Sequence, residues 1–149
     1  MEFDNSGNLD VAEHSRINGY LDIGRIDRID LLLNVSTIKE LQNFRPTGIA
    51  FDSDGFIYFP GRLDSDPYAG DIYKLNPSSG VLAIVPGLEG KVGTAIAIDV
   101  ADNIFFSTTV LPVQYQEINT TYMYTINGVM SIFAKTEPTV EELTFDLER

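Results

Sequence analysis

The chain has 149 residues, 44% of them hydrophobic and 21% charged, with no cysteine and a single histidine, His14. This suits one globular domain with a sizeable core, and it excludes disulfides, thiolate metal sites and a cysteine nucleophile. A formal net charge of −12 excludes nucleic acid and anionic membrane surfaces as partners, because both need a basic footprint. No apolar run is long enough to span a bilayer, and the N-terminus has neither the basic nor the apolar region of a signal peptide.

In chain order, the sequence opens with the end of a strand, an Asp4–Gly7 turn and a second strand. "GRIDRID" (Gly24–Asp30) predicts a third strand, and Leu31–Val35 a fourth after a short turn. Ser36–Phe44, with a Ser cap and apolar spacing, predicts a short helical connector. The next unit is the most regular, with strands over Gly48–Phe51, Phe56–Phe59, Asp71–Leu75 and Val81–Val85. These runs are rich in Ile, Val, Phe and Tyr and bounded by Gly, Pro, Asn and Asp. The third unit has strands around Ala97 and Phe105, the phrase "TYMYTIN" (Thr121–Asn127), and Val129–Phe133 after Asn127-Gly128, a type I′ hairpin signal. A last strand is expected at Glu141–Phe145.

The units repeat. Asp4, Asp52, Asp99 and Asp146 follow similar apolar runs at spacings of 48, 47 and 47 residues. "GRIDRID", "GDIYKLN" and "TYMYTIN" recur between them. Four short antiparallel strands, A to D, repeating at this period match a β-propeller blade; a β-sandwich is the competing all-β arrangement. The blades fall at about 1–43, 44–90 and 91–137, and 138–149 forms a strand completing a neighbouring blade.

"PTGIAFDSDGFIYF" with "GDIYKLNPSSGVLAIVPG" resembles the repeat of NHL and SMP-30/gluconolactonase-type six-bladed propellers. The resemblance implies either a binding scaffold or a propeller hydrolase or lyase, the lactonases being metal-dependent. In that family strand A carries metal ligands five residues before the anchor Asp. The corresponding positions are Thr47, Thr94 and Glu141, of which only Glu141 matches. No cofactor is otherwise evident; a calcium ion is the cation such a site would take.

Three blades do not close a ring. The first phrase is cut by the N-terminus and the last by the C-terminus, each holding what the other lacks. The expectation is a homodimer pairing 3+3 into one six-bladed ring, or else a fragment of a longer propeller.

Ligands are expected at the end of the sheets formed by the B–C connections. These read as long loops at about Ala12–Ile23, Gly61–Gly70 and Thr108–Thr121, and long loops are often functional. They carry Glu13, His14, Arg16, Arg62, Asp64, Asp66, Tyr68, Gln114, Tyr115 and Gln116. Carboxylates beside His14 could hold a divalent cation or perform acid–base work; a solvated loop side chain is the alternative at each position. The Asp-rich A–B turns read as structural. In "DSDG" the twelfth residue from Asp52 is Leu63, where a calcium loop needs a bidentate Glu.

Overall fold

The β-branched and aromatic runs form strands, and the Asp and Asn clusters turn the chain between them. A computed structural model describes residues 1–17, 21–63, 66–91, 93–110 and 118–136. Among the described residues the chain is all-β, with no helix. Three antiparallel sheets follow one another. Sheet I has β1 (Glu2–Phe3), β2 (Leu9–Ile17), β3 (Leu21–Ile29) and β4 (Val35–Gln42), side by side in chain order. Sheet II has β5 (Phe44–Pro46), β6 (Ala50–Phe51), β7 (Ile57–Leu63), β8 (Asp66–Leu75) and β9 (Leu82–Ile84). There β5 and β6 both pair with β7. Sheet III has β10 (Gly93–Ile98), β11 (Ile104–Val110), β12 (Ile118–Tyr124) and β13 (Met130–Thr136), again in chain order.

One turn recurs with little change. Asp4 Oδ1 accepts from the Ser6 and Asn8 amides at 2.8 Å, and Asn8 Nδ2 donates to Asp4 Oδ2 at 2.8 Å. Asp99 repeats this with Ala101 and Asn103. Asp52 does so with Asp54 and Phe56, but its Oδ2 receives Lys74 Nζ at 3.0 Å. The fourth residue of each turn takes positive φ: Gly7, Gly55 and Asp102. Asp supplies the acceptor that the tight loop lacks, and Gly or Asp tolerates the left-handed backbone.

The same turn appears where a strand was expected. Asp30 accepts from the Leu32 and Asn34 amides and from Asn34 Nδ2. Leu31–Val35 is therefore mostly a turn, and the strand begins at Val35. Leu33 occupies the left-handed position at φ 65°, which costs a branched side chain about 1 kcal/mol. Its side chain is 80% exposed, so it gains little packing in return. Leu33→Gly is expected to raise the thermal midpoint by about 2–4 °C, read by circular dichroism at fixed protein concentration; a drop would show that Leu33 holds something.

The helical connector at Ser36–Phe44 is absent, replaced by β4. Between Ile26 and Asp27 the β3–β4 ladder shifts, leaving Ile38 as an extra residue on β4. The bulge reverses the alternation, so Ile38 and the buried Leu41, three apart, both pack against the same core. Three-residue spacing in a bulged strand imitates a helix. Phe133 is the extra residue of the equivalent bulge in sheet III.

Asn127-Gly128 does not form a type I′ turn. Thr125 N donates to Val129 O, Gly128 N donates to Thr125 O, and only Gly128 has positive φ. The loop thus starts at Thr125, as loops start at Asp30 and Asn76. Ile29, Leu75 and Tyr124 pair with Leu9, Ile57 and Ile104 respectively. The third copy of the inner phrase is consequently Asn119–Thr125, two residues before the expected Thr121–Asn127.

The sheets stack face to face, and sheet II is buried on both faces. Ile57, Phe59 and Leu75 pack with Ile26, Leu41 and Phe44 of the chain preceding and flanking β5. Tyr58, Ile72 and Ala50 point the other way, against Ile96, Ile104 and Phe106 of sheet III. Each fully buried Ile, Leu or Phe contributes about 1.5–3 kcal/mol. Ile57, Phe59, Ile72 and Leu75 are all 0% exposed, which makes this double-sided sheet the centre of the fold.

Candidate functional site

The strands β1, β6 and β10 each lead into an Asp turn. Together they line a concavity of about 470 Å³, with Phe3, Ala50, Phe51, Ile96 and Ile98 as walls and Asp52, Asp99 and Asp102 at the rim. The rim carboxylates have work already. Asp52 and Asp99 accept the amides of their own turns. Asp102 accepts Ser53 N at 2.8 Å and Ser53 Oγ at 2.7 Å, tying the turn of sheet III to that of sheet II. At this turn end the carboxylates are structural groups rather than reagents.

Their titration follows from the same bonds. Burial raises the Asp4 carboxyl, but hydrogen bonds from Asn8 and Ser6 and the Arg28 charge outweigh it and hold it below its ordinary value. Asp99 behaves alike through Asn103 and Ala101, and Asp30 is held low chiefly by the Asn34 side chain. A carboxyl whose folded pKa is depressed adds stability above its unfolded value, and that stability is lost as pH falls through the folded one. The thermal midpoint is therefore expected to fall as pH drops below about 4. The fall should be shallower in Asp4→Asn with Asp99→Asn, which have no proton to take up. An unchanged slope in that variant would move the acid lability elsewhere.

At the opposite end, the hairpins are strand ribbons for most of their length. Of the expected long loops, β2 runs to Ile17 and β3 starts at Leu21; β7 runs to Leu63 and β8 starts at Asp66; β11 runs to Val110 and β12 starts at Ile118. Glu13, His14 and Arg16 thus lie on β2. Glu13 and His14 have exposed side chains on adjacent residues, so alternation sends them to opposite faces of sheet I. Glu13 sits 3.7 Å from Arg25, which also reaches Glu40 at 3.6 Å. The structure therefore places Glu13 in a surface ion-pair row and does not bring it to the His14 face. Arg62 is on β7, and Asp66 and Tyr68 are on β8. Asp64, Gln114, Tyr115, Gln116 and Glu141 lie outside the described residues.

The strand-A threonines are described. Thr47 Oγ1 donates to Gly93 O at 2.9 Å and approaches Pro60 O at 3.4 Å, bridging sheets II and III. Thr94 Oγ1 donates to Ser107 O at 3.2 Å. Both hydroxyls hold backbone together at the positions where the resemblance would place metal ligands. Among the described residues no group of three His, Cys, Asp or Glu side chains is arranged to hold a metal ion.

The sequence reading missed Arg45, which stands directly opposite Arg62 across β5 and β7. Phe51↔Ile57 and Ala50↔Tyr58 set the hairpin register; continued without a break it would put Leu63 opposite Arg45. Instead the inner strand breaks at 47–49, beside Pro60. Proline has no N–H for the ladder, and its carbonyl accepts from Thr47 N at 3.0 Å. The Pro60 in "FIYFPGR" was the available signal. A second pair the sequence did not reveal is Asp10 and Arg28, joined by a two-bond fork across β2 and β3.

Among the described residues no helix is long and apolar enough to cross a membrane. No protein-family model matches the chain, and no curated protein matches it significantly.

Proposed function

We propose that the chain is half of a six-bladed NHL- or SMP-30-like β-propeller, that a second copy closes the ring, and that the closed ring is a binding scaffold. Its ligand face is the hairpin end of the sheets. One observation carries the ring: positions of sheet I equivalent to ones that a preceding sheet buries in sheets II and III are only partly buried. Val11 is the counterpart of Phe59 and Phe106, and Leu9 of Ile57 and Ile104, by their distance from the anchor Asp. Phe59, Phe106 and Ile57 are 0% exposed and Ile104 is 5%, whereas Leu9 and Val11 are only partly buried and Phe3 beside them is 66% exposed.

On the face of sheet III turned away from sheet II, Phe133 packs edge-on against Phe105, ring centroids 5.0 Å apart, and stays 61% exposed. A repeat fold that stacks each sheet on the next in the same sense would seat sheet I of one copy on sheet III of the other, twice around a twofold axis. Such a ring would make one channel of two half-concavities. The engagement of the turn-end carboxylates supports the hairpin end, rather than the turn end, as the place where ligand is held.

Sedimentation equilibrium at micromolar concentration tests the ring. The expected result is twice the mass of the chain; a well-folded monomer overturns it. Adding calcium, with EDTA as control, tests the scaffold reading against the metal-dependent lactonase. No shift of the thermal midpoint is expected, and a saturable rise would favour the enzyme.

A further inference from the structure

Two arginines opposite one another on neighbouring strands repel, and Arg45 and Arg62 are such a pair in a chain with only ten Lys and Arg residues. Three described cations have carboxylate partners: Arg28 has Asp10 and Asp4, Arg25 has Glu13 and Glu40, and Lys74 has Asp52. Arg62 differs. Its Nε is enclosed and makes no hydrogen bond among the described residues. On its other flank the strand partner is Gly70, which has no side chain to offer.

The surroundings suit an anion. Arg62 shares the face of β7 that carries Tyr58 and Pro60, and Tyr58 packs in the core between sheets II and III. Gly93 of sheet III backs directly onto Pro60. Across that seam Thr108 and Thr120 are buried, paired with each other, and alternation places Thr108 on the Phe106 face toward sheet II. A guanidinium with an unused enclosed donor, a second guanidinium beside it and buried hydroxyl-bearing residues opposite are the groups that recognise planar or tetrahedral oxyanions.

We propose that the Arg45–Arg62 pair, at the hairpin end of the seam between sheets II and III, is the binding site for a carboxylate or phosphate group of a small ligand. This deepens the hairpin-end reading, but all four residues belong to one chain, so it does not rest on ring closure. A monomer in solution would overturn the ring and leave this site standing.

The test is thermal shift with inorganic phosphate and with succinate, each against chloride at equal ionic strength and fixed protein concentration. At saturating anion the wild type is expected to gain about 2–4 °C with at least one of them. Arg62→Gln should lose the gain. Arg62→Lys should lose most of it, because a point charge cannot make the fork. Lys39→Gln, a cation on sheet I that donates to Gly80 O, should keep it. Without oxyanion, Arg62→Gln should melt at or above the wild type, since no hydrogen bond to its Nε is lost. No gain in the wild type, or an equal gain in Arg62→Gln, overturns the proposal. So does an Arg62→Gln protein that melts well below the wild type without oxyanion, which would mean that Arg62 serves a partner within the fold.

Discussion

Arg28→Leu is expected to cost about 3–5 kcal/mol of stability, the largest effect of any single substitution argued for this chain. Asp10 is 0% exposed, on the face of sheet I that packs against sheet II. Arg28 holds it by a fork, Nε to Oδ1 at 2.8 Å and Nη2 to Oδ2 at 2.7 Å, and reaches Asp4 at 3.1 Å. Without the guanidinium a carboxylate is left inside the protein with no counter-charge. The repeat offers its own control. The positions of Asp10 and Arg28 correspond to Tyr58 and Lys74 in sheet II and to Phe105 and Met123 in sheet III, a trend from ion pair to cation over aromatic ring to apolar pair. Lys74 Nζ stands 4.9 Å from the Tyr58 ring centroid. Asp10→Leu with Arg28→Met should therefore recover to within about 1–2 kcal/mol of the wild type, because apolar replacement of a whole buried pair is often neutral. Urea denaturation of the three proteins checks this. A loss under 1 kcal/mol in Arg28→Leu would show that Asp10 does not depend on it.

Those correspondences explain what could be read in advance and what could not. The Asp anchors were legible because their side chains make the turn themselves, so the residue type is required by a bond within five residues. The strands of sheet II were legible for a similar reason: alternation and turn chemistry agree locally. The misreadings occurred where one extra residue changes the phase. Ile38 bulges from β4 and makes a strand look helical, and the gap at 47–49 moves Arg45 from Leu63 to Arg62. Leu31–Leu33 looked like a strand because it is apolar, yet the Asp30 and Asn34 side chains close it into a turn. A bulge is settled by packing between sheets, which no window of ten residues contains.

Val11→Asp and Met123→Asp are each expected to weaken self-association by about 10⁴-fold. Val11 lies on the outer face of sheet I, since Ala12 next to it packs toward sheet II. Met123 lies on the outer face of sheet III, between Tyr122 and Tyr124, which pack toward sheet II. In the proposed ring each interface joins one sheet I to one sheet III, and every substitution is present twice. Two carboxylates buried without partners, at roughly 3 kcal/mol each, give about 6 kcal/mol, and 1.4 kcal/mol is tenfold. Leu32→Asp, at a position 82% exposed at the turn of sheet I, adds the same charge and should leave association unchanged. If sheet I instead met its own copy, Val11→Asp would abolish the dimer and Met123→Asp would spare it. Sedimentation of the two variants thus decides not only whether the chain pairs but whether unlike faces meet, as closing a ring from two half-rings requires.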